Sequence, residues 1–215
     1  MKKLIFACLI SLFACAQAQA GFISQVTGAD MVGMEVTVTF ENNTTETLVW
    51  DVFTQDASVP FLEGYSGGVS GNGWSVIQAG DTISEYVNSP LGLWTITNSS
   101  DQGIISIFFN GLAGNVVFDI LFGDASANGS EEGRPFLSAS GNINASFGSN
   151  YMDELYGTML LSNNGGLIVA EGARELFIVD TDIITVDADV SAPTTLGISL
   201  FALCGLILAR VYRQQ

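Results

Sequence analysis

The sequence predicts an all-β fold: an antiparallel β-sandwich, jelly-roll-like, set between an N-terminal signal peptide and a C-terminal single transmembrane helix. Three observations carry this. Apolar residues of the central part recur with a period of two rather than 3.6. Clusters of Gly, Asn, Asp and Ser cut that part into short runs. Both ends are apolar stretches flanked by basic residues.

The N-terminal element, residues 1–20, has the three parts of a secretory leader. Lys2 and Lys3 form the charged region, Leu4 to Ala14 the apolar region, and Ala18-Gln19-Ala20 a small-residue cleavage site ahead of Gly21. Small residues are needed there because the pockets of signal peptidase are shallow. The apolar run is short for a membrane span.

The body, 21–186, reads as strands. Val32, Met34, Val36, Val38 and Phe40 alternate with Gly33, Glu35, Thr37, Thr39 and Glu41, the pattern of a half-buried antiparallel strand. Asn42-Asn43 supplies a turn, and Leu48 to Phe53 returns as the hairpin partner. Further strands are predicted at Trp74–Ile77, Leu91–Thr97, Ile104–Phe109, Val116–Phe122, Leu155–Leu161, Leu167–Ala170, Leu176–Val179 and Ile183–Val186. Two longer loops are expected, Glu63–Gly73 and Gly123–Pro135. Tyr151–Leu155 is the only place for a helical turn.

Residues 187–192 form a polar stalk. From Pro193 to Ala209 there is no charge, and Arg210 and Arg213 follow. The run sits at the lower edge of the about 17–25 residues that cross a bilayer. The arginines keep the tail in the cytoplasm and leave the body outside.

Charge divides the chain in the same way. The whole carries −16 with no His. The stretch from Gly21 to Ala192 holds all 22 acidic residues against Arg134 and Arg174 alone, a net of −20. So acidic a body repels phosphates, which excludes nucleic acid as a partner. Without His there is no Ser-His-Asp or Cys-His catalysis and no His-ligated metal. Cys8 and Cys15 lie in the leader and Cys204 in the C-terminal run, so the body must hold together without disulfides.

The C-terminal residues Val190-Ser191-Ala192-Pro193-Thr194-Thr195-Leu196-Gly197, the apolar run and the arginines resemble the PEP-CTERM sorting signal. That family is named for a Pro-Glu-Pro motif followed by a transmembrane helix and a basic tail. Here Ser191-Ala192-Pro193 stands in the motif's place, and the tail has two arginines. The resemblance covers about the last 25 residues. It implies processing by exosortase, a membrane transpeptidase of Gram-negative bacteria, in systems that accompany exopolysaccharide and biofilm matrix. Pro193 keeps Ala192 extended, which suits presentation to a protease cleft. The implied partners are signal peptidase, exosortase, the membrane and exopolysaccharide. The implied location is the inner membrane first and the cell surface or matrix afterwards.

Within the body, three kinds of chemistry remain. Calcium is the one cofactor the acidic loops and strand ends suggest. Asp180 with Asp182 and Asp187 with Asp189 place carboxylates close together, but none fits the D-x-[DN]-x-[DN]-G loop, and solvated charges at strand ends are the simpler expectation. Glycan binding would use exposed rings. Tyr65 and Trp74, beside the Gly-rich loop, are the candidates, whereas Trp50 and Trp94 alternate into the core. Glycoside hydrolysis needs only two carboxylates, but sequence singles out no pair. The expectation is a non-enzymatic envelope or matrix protein, with a surface carbohydrate-binding module as the alternative.

Overall fold

Alternation becomes strand pairing in the computed structural model, which describes residues 21–23, 26–53, 65–82, 92–121 and 133–185. All belong to one unit, Gly21–Thr185. The leader with Ala20, the stalk with Asp187 and Asp189, and the sorting segment with Ser191, Ala192, Pro193, Arg210 and Arg213 lie outside the described residues. No helix among the described residues is long and apolar enough to cross a membrane.

The strands run in chain order β1 (Gly21–Ile23), β2 (Glu35–Phe40), β3 (Thr45–Val49), β4 (Asp51–Val52), β5 (Ser66–Gly71), β6 (Trp74–Ala79) and β7 (Leu93–Asn98). They continue as β8 (Ile104–Asn110), β9 (Val116–Asp119), β10 (Leu137–Ser138), β11 (Asn144–Met152), β12 (Leu155–Ser162), β13 (Arg174–Ile178) and β14 (Asp180–Thr185). The fold is all-β and every pairing is antiparallel.

Two sheets result. The smaller runs β10-β13-β7-β6-β5-β4. The larger one forks at β12. One edge of β12 carries β11; the other carries β8 against Thr158–Ser162 and β9 against Leu155–Tyr156. Beyond β8 come β2 and β3, and beyond β9 come β14 and β1. A 3₁₀ turn, Gly111–Gly114, joins β8 to β9.

The alternation from Met34 to Phe40 is used as expected: Met34, Val36, Val38 and Phe40 are buried. Val32 departs from it. A 3₁₀ turn at Gly28–Met31 and the positive φ of Gly33 (97°) precede the strand and turn Val32 out to solvent. At the tip, Asn43 takes a φ of 62° and its N–H bonds the Phe40 carbonyl at 2.9 Å. The predicted return strand Leu48–Phe53 is divided. β3 pairs with β2 and β4 with β5, so the chain changes sheets at Trp50.

Two strands were hidden by composition. Ser66–Gly71 lies in the expected Gly-rich loop but pairs along its whole length with β6. Its glycines are there for close approach: a Cβ on Gly67 would overlap the Gly28 carbonyl and the Trp50 indole nitrogen. The second hidden strand is β11, rich in Asn, Ser and Gly, which have low strand propensity. The residues at 151–155 end β11, turn at Asp153-Glu154 and begin β12, so the expected helical turn is a hairpin turn. Leu167–Ala170 forms a single bridge, Ile104 to Val169, rather than a strand.

The two sheets share one core. Val36, Val38, Ile107 and Phe109 from the larger meet Val76, Trp94, Ile96 and Phe177 from the smaller. Trp94 is its centre, stacked on Phe177 at 5.4 Å and edge-on to Phe109 at 5.7 Å. Trp50 and Trp94 are both fully buried, as the alternation predicts. Their N–H groups reach the Gly28 and Val179 carbonyls at 2.8 and 3.3 Å.

Candidate functional site

The unusual chemistry of the body lies on the other face of β9 and β14. Val116, Phe118 and Ile183 face the shared core, so Val117, Asp119, Asp180, Asp182 and Ile184 face away from it. That outward face is nonetheless buried. Asp119, Asp180 and Asp182 are 0–2% exposed, and Val117 and Leu155 form a second small core with Met152 and Ile184. Glu154, in the turn before β12, is buried too, as is Arg134.

Segment 133–134 closes one end of this layer. The Arg134 N–H bonds the Asp119 carbonyl at 3.1 Å, and its carbonyl accepts the Asp180 N–H at 3.4 Å. Gly133 lies against the Asp119 carboxylate so closely that a Cβ would overlap it. Asp119, Arg134, Glu154 and Asp182 all have polar or electrostatic partners.

Asp180 and Asp119 are direct partners across β14 and β9. Burial drives the Asp180 carboxyl up from 3.8 to about 8, with the charges of Asp182 and Asp119 adding to the rise. The Thr82 hydroxyl, donating at 2.9 Å, and the Thr181 N–H, at 2.8 Å, oppose it. At neutral pH Asp180 is therefore mostly protonated.

This placement corrects the expectation of solvated strand-end charges for Asp180 and Asp182. Neither meets solvent: both are buried on β14, where the Arg134 carbonyl accepts the Asp180 N–H. No group of three or more His, Cys, Asp or Glu among the described residues is placed to hold a metal ion. Asp119, Arg134 and Glu154 escaped the sequence reading. Asp119 had a signal: it interrupts an apolar run, Val116 to Phe122, where a solvent-facing acid is not expected.

The two candidate rings separate. Tyr65 is 56% exposed, just ahead of β5. Trp74, expected to be exposed, is buried at 2%. It stands opposite Gly71, whose missing side chain leaves room for the indole. Its N–H donates to Glu46 Oε2 at 2.6 Å, tying β6 of one sheet to β3 of the other. Gly21 opens β1 and is the register partner of Thr185, so the two ends of the body lie side by side.

A second feature is an open groove of about 450 Å³ between β10 and β11. It is lined mainly by Ile120, Phe136, Leu137, Ile143, Ala145 and Phe147. Phe136 reaches the core ring of Phe177 at 5.4 Å and Phe147 that of Phe118 at 6.2 Å, so the groove opens onto the core itself.

No protein-family model matches the chain, and no curated protein or solved structure does.

Proposed function

We propose that the chain is an exported, non-enzymatic protein of the envelope or extracellular matrix of a Gram-negative bacterium. In this reading the body is a jelly-roll-like sandwich sorted by a PEP-CTERM-like signal and processed by exosortase. The observation that carries it is the pair of basic-flanked apolar ends around a −20 body without Lys, His or Cys. Signal peptidase cleaves after Ala20, the helix 193–209 holds the chain in the inner membrane, and cleavage near Ser191-Ala192-Pro193 frees the body. Gly21 pairs with Thr185, so both processed ends leave the body at one place.

The test is the mature protein's mass. In an exosortase-positive host the isolated protein should begin at Gly21 and lack the segment after the Ser191-Ala192-Pro193 region. In an exosortase deletion it should keep Arg210 and Arg213 and stay in the membrane. An identical mature mass in both strains overturns the sorting claim.

A carbohydrate-binding reading is favoured by one observation, the exposure of Tyr65. It requires that the protein retain an exopolysaccharide on a glycan array and that Tyr65→Ala abolish retention. Measuring with calcium and with EDTA separates a metal-dependent contact from a plain stacking one.

A further inference from the structure

Strand edges are templates for pairing with another chain, and proteins blunt them with short length, charge or proline. Most edges in this body are blunted. β1 has three residues, β4 and β10 two each, and β3 carries Glu46. β11 is the exception. It has nine residues, none charged and none proline, and among the described residues only β12 pairs with it. From Phe136 to Met152 the chain has no charge at all, in a body that carries −20. Asn144, Ser146, Asn150 and Tyr151 are exposed, while Ala145 and Phe147 line the open groove. The register against β12 is regular from Asn144 to Gly148 and shifts only between Asn150 and Met152.

We propose that β11 is a self-association edge, pairing antiparallel with β11 of a second copy about a two-fold axis at Ser146. The strand is its own complement in that register. Ala145 stands opposite the second copy's Phe147 and Asn144 opposite its Gly148, so large meets small at these pairs, and Ser146 stands opposite itself. The two grooves then merge, and the half-buried Phe147 rings gain cover from both sides. The choice of a second copy follows from charge. Two such bodies repel wherever carboxylates meet, and this edge brings them together without placing a carboxylate from either strand at the contact. Long-range repulsion remains, so salt strengthens the pairing by screening it. The contact stands apart from the sorting reading and supplies what a matrix protein needs, a way to join copies.

The experiment uses the full chain in detergent, with Cys8, Cys15 and Cys204 replaced by Ser. Ser146→Cys is compared with Thr47→Cys, which lies on the opposite, β3 edge. Mild oxidation should link Ser146→Cys into a species of twice the mass and leave Thr47→Cys single. Sedimentation of the unsubstituted chain should show a dimer that grows with NaCl. Ser146→Lys, which sets two cations face to face, should return it to single-chain mass while keeping a single cooperative melting transition, one that no longer rises with protein concentration. If Ser146→Lys fails to fold, the cysteine pair decides. A single-chain mass at all salt concentrations, equal cross-linking at both positions, or a dimer that survives a folded Ser146→Lys overturns the proposal. A processed, exported protein that never dimerises overturns this contact alone; a dimer whose ends are never processed overturns only the sorting reading.

Discussion

Asp180 stands directly opposite Asp119 where β14 pairs with β9, and both carboxyls are buried. Two ionised carboxylates in that position would repel, and burial denies them water. Holding a proton on Asp180 relieves both costs. The sheet therefore folds around a carboxylic acid.

Stability should depend on pH in the opposite sense to that of most carboxylates. The folded carboxyl titrates near 8 and the unfolded one near 3.8. Between these values the folded state binds the extra proton, so stability is full below about pH 4, falls as pH rises, and levels off above about 8. Asp180→Asn keeps an acceptor for Thr82 and Thr181 and removes the titration. Urea unfolding between pH 5 and pH 8 should show a falling midpoint in the natural protein and a flatter one in Asp180→Asn. Equal slopes would refute the assignment.

Trp74 and Glu46 tie the sheets together through a single charge-assisted hydrogen bond. Glu46→Ala leaves the buried indole N–H without that acceptor and should cost about 1–3 kcal/mol. Glu46→Gln retains an acceptor and should cost less. Denaturant midpoints with an unchanged m-value are the measurement.

Gln78 offers a gain. Its side chain is fully buried on β6, and neither its amide oxygen nor its nitrogen has a hydrogen-bond partner. Replacing an unsatisfied buried amide with an apolar group of similar size removes a desolvation penalty of about 1–3 kcal/mol. Gln78→Met should therefore raise the melting temperature. A drop of several degrees would mean that the amide does work not visible in its contacts.

Gly67 should tolerate nothing larger. A methyl group there meets backbone at Gly28 and the Trp50 indole, neither of which is a flexible chain end. Gly67→Ala should cost about 1–3 kcal/mol or more by overpacking. Gly165→Ala is a poor control, because its φ of 88° adds strain. Ser70→Ala, on the exposed side of the same strand, is the better one and should change stability little.

Much of the architecture was legible in the residues. The two-residue period of Met34–Phe40, the turn at Asn42-Asn43 and the burial of Trp50 and Trp94 all follow from local pattern, because alternation is a property of neighbouring side chains on one strand. β5 and β11 were not legible, since Gly, Asn and Ser have no strand preference of their own. What makes them strands is a neighbour: the close approach of Gly28 and Trp50 for β5, and β12 for β11. The burial of Trp74 was not legible for the same reason: it depends on a glycine across the hairpin and an acid in the other sheet.

The sequence by itself determined an all-β antiparallel body, its acidity, its freedom from disulfides and the burial of Trp50 and Trp94. Only the tertiary structure decided which acids are buried and which edge is open. A strand's pattern says that two faces differ, but it does not say what lies over the outer one. That depends on register between segments far apart in the chain. Asp119 meets Asp180 across 61 residues of sequence because β9 and β14 are neighbours.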